Sequence, residues 1–271
     1  MSGRIEYKYL APIAAIDDIR DDIMPYLVPD PFSEAAMGGE YTVRSVYYDT
    51  PSFTCYGEKD SGLLIRNKFR IRGYGTPHEK SVVFLEIKKR CDCVIAKNRA
   101  PLLLSDLQAF LASSDIDRYI ISSGGASRAR DDARRFLYYY HRLFLKPAAL
   151  VVYDREAFSG RFNSSLRVTF DKRLRGQLEP GLDQLHETEQ LIPVMKNFFI
   201  FELKFFRRAL PQWAADIILR YQLPRMALSK YTNCVDLRRS RPRVAQAPRV
   251  HARSATDSGL MGIRGPHVHI G

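Results

Sequence analysis

Over much of the chain, apolar and polar residues alternate one for one, the period of a β-strand with one face buried. The pattern predicts strands at Arg4–Leu10, Tyr41–Asp49, Leu63–Gly73, Val82–Arg90, Cys93–Leu103, Ala149–Phe158, Ser165–Asp171 and Phe198–Phe206, with a short addition at Arg173–Leu178. Helical spacing interrupts them. Ile16, Ile19, Ile23 and Leu27 predict a helix ended by Pro29, and Ser105-Asp106-Leu107-Gln108 reads as a capping box for a helix through Leu111. A longer amphipathic helix is predicted over Arg128–Phe144, and another from Pro211 to Tyr221. Strands in number, with helices dispersed among them and no regular β-α-β alternation, predict an α+β fold built on a mainly antiparallel sheet or barrel.

The polar faces of these strands carry an unusual composition. Arg66, Lys68, Arg70 and Arg72 share one side of a strand against Ile65, Phe69 and Ile71. Arg4, Glu6 and Lys8 do the same in the first strand, Glu86, Lys88 and Arg90 in a later one, then Arg167, Thr169 and Asp171, and finally Glu202 and Lys204. Residues on one side stand roughly 6.6 Å apart. Neighbouring cations at that separation repel by about 2.5 kcal/mol at an effective dielectric near 20. A one-sided sheet could expose such a face to water, but repetition of arginine and lysine on strands spread along the whole chain favours another arrangement. The expected fold is an eight-stranded β-barrel tunnel with a basic, polar lumen and helices packed outside. Such a lumen suits phosphate oxygens, with arginine as a planar fork and lysine as a point charge. Glu6, Glu86 and Glu202 would pair with these cations, and Glu202 is the preferred ligand for Mg²⁺ or Mn²⁺.

Composition narrows the class. The chain has 271 residues and a formal net charge of +12. From Arg238 onward there are seven arginines and one acid, so half of the excess lies in a segment without periodicity. Residues 1–237 are therefore expected to form one domain, and 238–271 a basic, disordered tail. No apolar run approaches the length of a membrane span, and the start has no apolar signal region, so the expected location is the cytoplasm. Four cysteines suit a reducing compartment. Cys91-x-Cys93 lacks a second ligand pair for zinc, and no Walker A or kinase signature is present.

At Glu6-x-Lys8-Tyr9, Ser45-Val46-Tyr47-Tyr48-Asp49-Thr50 and Lys68-Phe69-Arg70-Ile71-Arg72-Gly73-Tyr74 the chain resembles the VTC domain. That is the catalytic domain of the vacuolar transporter chaperone polyphosphate polymerase, within the triphosphate tunnel metalloenzyme superfamily. The likeness continues through Phe84–Lys89, Lys97-Asn98-Arg99, Tyr153-x-Arg155, Leu166-Arg167-Val168, Phe201-Glu202-Leu203-Lys204 and Ser229-Lys230-Tyr231, and spans residues 4 to 236. The resemblance implies an eight-stranded tunnel, ATP with Mn²⁺ or Mg²⁺, and transfer of the γ-phosphate to inorganic polyphosphate. By motif position Lys8, Arg70, Arg72, Lys88, Arg155, Arg167 and Lys230 would be the catalytic phosphate-holding residues. Tyr153 and Ser229 would donate hydrogen bonds, and Glu202 would bind the metal. Arg90 and Lys97, with Arg66, Lys68 and Lys204 from the same basic faces, complete the substrate-binding set. Fungal members carry an SPX domain and membrane helices that this chain does not show, so a stand-alone, soluble, bacterial form is expected.

Two other readings stay open at this level. Related tunnel hydrolases resemble a Glu-x-Glu-x-Lys first strand, where this chain has Arg4 at the first position. Hydrolysis calls for an activated water. Joining two polyanions calls for cations that position them, so the exchange favours transfer. A nucleic-acid-binding module would fit the basic balance, but no recognition helix, zinc finger or RNP pattern accompanies it.

Overall fold

The computed structural model describes residues 5–91, 94–121, 126–181, 183–206 and 210–239. Arg4, Asp92, Cys93 and nearly all of the expected tail lie outside them. The strands are β1 (Ile5–Pro12), β2 (Leu27–Pro29), β3 (Tyr41–Asp49), β4 (Ile65–Tyr74), β5 (Val82–Cys91), β6 (Val94–Leu103), β7 (Lys146–Gly160), β8 (Arg167–Leu178), β9 (Ile192–Pro193) and β10 (Phe198–Phe205). The helices are α1 (Ile16–Ile23), α2 (Pro31–Ala35), α3 (Thr54–Asp60), α4 (Leu107–Ser113), α5 (Ile116–Tyr119), α6 (Ala126–Arg142), α7 (Gln212–Arg220) and α8 (Lys230–Val235). None among the described residues is long and apolar enough to cross a membrane.

All ten strands join one antiparallel sheet in the order β1-β10-β8-β7-β3-β4-β5-β6, with β2 and β9 paired at the side to β7 and β8. The expected closed barrel of eight strands is not formed: the sheet is open, and β1 and β6 do not pair. Its two free edges are occupied instead. On β1, the Leu10 amide donates to the Pro224 carbonyl at 3.3 Å and the Met226 amide donates to the Lys8 carbonyl at 2.9 Å. On β6, the Ile121 amide donates to the Pro101 carbonyl at 3.0 Å. Each strap satisfies edge groups that closure would have used. The sheet nonetheless curls far enough that Lys88 of β5 reaches Glu6 of β1 at 3.1 Å, although six strand steps separate the two strands.

Burial follows the alternation. The outer face of β1, β8 and β10 packs Tyr9, Phe170, Phe199, Phe201 and Leu203 under α1 and α7. The outer face of β3 to β6 packs Phe69, Ile71, Leu85 and Ile87 under α4 and α6. Contrary to expectation, one helix lies within the curve. Tyr231, Cys234 and Val235 of α8 pack on Val43, Val151, Tyr153 and Leu174, which point inward. The approach is close because Gly176 of β8 has no side chain: a Cβ there would stand 2.6 Å from the Cys234 sulfur.

Several local expectations change. Leu27 belongs to β2, because α1 ends at Ile23 and the chain turns to pair with β7. The capping box does not form: Leu104–Asp106 is a 3₁₀ turn, and Asp106 makes no capping hydrogen bond to α4. The two segments read around Lys172 are one strand, β8. A register shift opposite Val152 and Asp154 accommodates Arg173 at φ 48°, so Asp171 and Leu174 both face inward.

Candidate functional site

The inward side of the sheet carries the basic faces, and three buried carboxylate centres organise them. Glu86 of β5, 0% exposed, is the first. It accepts from Arg70 Nε at 2.7 Å and lies 2.6 Å from Lys97 Nζ and 3.3 Å from Arg99 Nε. Arg70 also donates to the Tyr47 hydroxyl at 2.9 Å. Burial alone would raise the Glu86 carboxyl, yet Arg70, Arg72 and Lys97 hold it well below the usual range.

The second centre joins β1 and β10. Lys8 Nζ lies 2.9 Å from Glu6 and 3.8 Å from Glu202, and donates to the Leu228 carbonyl at 3.2 Å. Lys204 pairs with Glu202, and Lys88 reaches Glu6 from across the interior. Burial and Glu202 both push the Glu6 carboxyl up, but Lys8, Lys88 and Lys204 bring it down to about 2.

The third centre is Asp171 of β8. Arg155 grips it bidentately at 2.6 and 2.8 Å, and Lys230 of α8 reaches it at 2.5 Å. Against burial, these two cations hold its carboxyl at about 2. The Tyr153 ring carries the Lys230 ammonium at 4.6 Å and the Arg155 guanidinium at 5.2 Å.

Two inward cations have no carboxylate at ion-pair distance among the described residues. Arg72, buried, donates to the Ser45 hydroxyl at 3.0 Å and to the Tyr153 hydroxyl at 3.4 Å. Lys68 donates to the Ser229 hydroxyl at 2.7 Å. Burial, then Lys8 and Lys88, push the Lys68 ammonium well below its ordinary range. Ser229 also accepts from the Thr232 amide at 3.3 Å, which caps α8.

Of the residues singled out in the sequence, Lys8, Lys68, Arg70, Arg72, Lys88, Lys97, Tyr153, Arg155, Glu202, Lys204, Ser229 and Lys230 thus share one interior. Three stand at its rim. Arg167 pairs with Asp30 at 2.7 Å. Arg66 and Arg90 are register partners at the far end of β4 and β5, where the Arg66 guanidinium bonds the Leu63 carbonyl. At the end opposite Arg66, Tyr41, Tyr74 and Phe84 form an aromatic border with ring centroids 6.1 and 6.0 Å apart. The Arg99 guanidinium lies 3.4 Å from the Phe84 centroid.

Sequence reasoning missed the parts played by Asp171, Asp30, Arg99, Ser45 and Tyr47. Asp171 was visible as a carboxylate on the same alternating face as Arg167. Asp30, before Pro31, carries the signal of a helix N-cap, and it accepts from the amides of Phe32 and Ser33. Nothing in their local sequence marks Ser45 and Tyr47 as partners of Arg72 and Arg70.

Among the described residues no group of three or more His, Cys, Asp or Glu is placed to hold a metal. These residues therefore build no protein-only cage. What the interior does offer is Glu202 within electrostatic reach of Glu6, and the Thr169 hydroxyl, buried without a hydrogen-bond partner on the strand position opposite Glu202. Such a set of hard oxygens fits a divalent cation that takes its remaining ligands from phosphate.

Residues 3–238 match the VTC domain, so nearly all of the described chain falls within one family. No curated protein matches the chain. With its basic interior and this match over most of its length, the chain belongs to the VTC domain family.

Proposed function

We propose that the interior is the active site of a polyphosphate polymerase, in which the end of an inorganic polyphosphate chain takes the γ-phosphoryl group of ATP. A terminal phosphate oxygen attacks the γ-phosphorus, the bond to the β,γ-bridging oxygen breaks, and ADP leaves with that electron pair. The attacking end is already an oxyanion near neutral pH, so no general base is required. The work is to hold two repelling polyanions in line and to offset charge as it shifts to the leaving oxygen. One observation carries this reading: Arg72 and Lys68 face the interior without a carboxylate at ion-pair distance among the described residues, beside cations whose carboxylates are each shared. Such a surface is complete only with an external polyanion.

In this reading Arg70, Arg72, Arg155 and Lys230 grip phosphate oxygens, with Lys8 and Lys88 completing the path towards β1. Family members generally depend on a divalent metal. Glu202, with Glu6 and the Thr169 hydroxyl, would hold Mn²⁺ or Mg²⁺, which would neutralise β- and γ-oxygens. The aromatic border with Arg99 offers the adenine a face to stack on. Incubating the protein with ATP and either metal, and separating products on a gel, is expected to give ADP and a ladder of long phosphate polymers. Orthophosphate or tripolyphosphate alone would overturn the polymerase reading.

The interior lysines add a pH dependence. Burial lowers Lys88 and Lys97 to about 8, although Glu6 and Glu86 respectively work to raise them. A bound phosphate chain favours both ammonium ions, so binding near pH 8 takes up protons. Affinity for tripolyphosphate is therefore expected to fall as pH rises from about 7 to 9, roughly where these two groups titrate. Calorimetry in two buffers of different ionisation heat measures the uptake. Constant affinity without proton uptake would remove both lysines from the phosphate path.

A further inference from the structure

A second basic concavity lies on the opposite side of the same strands. Between α6 and the outer face of β4 to β6 is a cavity of about 380 Å³, lined by Asn67, Lys89, Asn98, Arg134, Arg135 and Tyr138, among others. Its lining contains three cations and no carboxylate. Lys89 and Arg135 have no ion-pair partner among the described residues, and Arg134 shares only the exposed Asp131 at 2.7 Å. Asp132 of the same helix is buried with both oxygens engaged, by the Asn98 side chain at 2.6 Å and the Arg99 amide at 2.8 Å. It forms no ion pair with any of the three cations.

The position is informative. Asn67 and Lys89 are register partners, and the next pair along the same two strands is Arg66 and Arg90, at the rim of the interior. Cations therefore continue from the inner face, past the strand ends, onto the outer one. Asparagine amides, a tyrosine hydroxyl and three cations, two of them without an ion-pair partner among the described residues, are the donors that phosphate oxygens accept from. We propose that this outer groove is a second polyanion site, which takes a stretch of phosphate chain outside the interior. The choice of a phosphate chain rests on the polymerase reading; the anionic nature of the ligand rests on the groove alone.

The test uses the full chain and the double variant Lys89→Ala/Arg135→Ala. Both side chains are exposed, so folding is expected to be unchanged. Binding of long polyphosphate is measured as a function of salt. The variant is expected to bind about tenfold more weakly at low salt, and to lose about one unit of salt slope for each cation removed. Tripolyphosphate affinity, set by the interior, and initial ATP turnover are expected to stay the same. An Arg72→Ala chain, inactive inside, is expected still to bind long polyphosphate through the groove, which separates this inference from the polymerase reading. Unchanged long-chain affinity and slope in the double variant would overturn it. So would a groove-dependent loss of ATP binding with no effect on polyphosphate, which would assign the groove to a nucleotide.

Discussion

Arg72→Ala is expected to lower polymer synthesis from ATP by about 10²–10³-fold while leaving the fold intact. The guanidinium is buried, aimed inward by the Ser45 and Tyr153 hydroxyls, and in direct ion-pair contact with no carboxylate among the described residues, Glu86 acting on it only at longer range. Its charge is taken out of water and set beside Arg70 on the same strand face, and Glu86 and the neighbouring tyrosines offset that cost. Removing it is therefore expected to change the melting temperature far less than loss of the Glu86 carboxylate would. Arg72→Lys keeps the charge but not the fork, and is expected to fall between the two. Lys230→Ala is expected to behave similarly, because Asp171 keeps its bidentate partner Arg155. Full activity in both alanine variants, measured as initial ADP release, would remove these residues from the site.

Glu86→Gln is expected to do the reverse, damaging the fold first. One fully buried carboxylate serves Arg70, Lys97 and Arg99. Its loss leaves three cations facing one another, and destabilisation of about 3 kcal/mol is expected, the low end for a broken buried pair because Lys97 and Arg99 keep contact with water. The sign with pH follows from the depressed carboxyl of Glu86. Its contribution is complete above the unfolded value, about 4.3, and is lost as pH falls towards the lower folded one, so the gap between variant and parent narrows in acid. Tripolyphosphate supplies the missing anions. It is expected to raise the melting temperature of Glu86→Gln by more than it raises that of the parent, whose gain at a hundredfold excess over Kd is about 2.7 kcal/mol. Equal gains in the two proteins would mean that the phosphate chain does not approach Glu86.

These two residues also mark how far the sequence could be read. Period-two alternation located the principal strands within a few residues and identified the basic side of each, because side-chain direction along a strand is a local property. Which strand edges meet is not local. The edges of the open sheet are covered by the short strap at Pro224–Met226 and the contact at Ile121, segments without periodicity whose role is visible only beside β1 and β6. The break at Lys172 was legible as an interruption, but not as a bulge that turns Asp171 and Leu174 to the same side. Glu86, Lys97 and Arg70 could be picked out singly. That one carboxylate would serve them all depends on the register of β4, β5 and β6.

The strap has a temporal consequence. Pro224–Met226 seals the edge of β1, and three residues later the same stretch delivers Ser229 and Lys230 to the interior. β1 is made long before its cover, so a chain emerging from the ribosome carries an unpaired edge and an unfinished basic cleft until about residue 235 is free. During that interval the nascent cleft is open to any polyanion nearby. Sealing of the sheet and acquisition of the last phosphate-gripping side chains are, for this chain, a single late event.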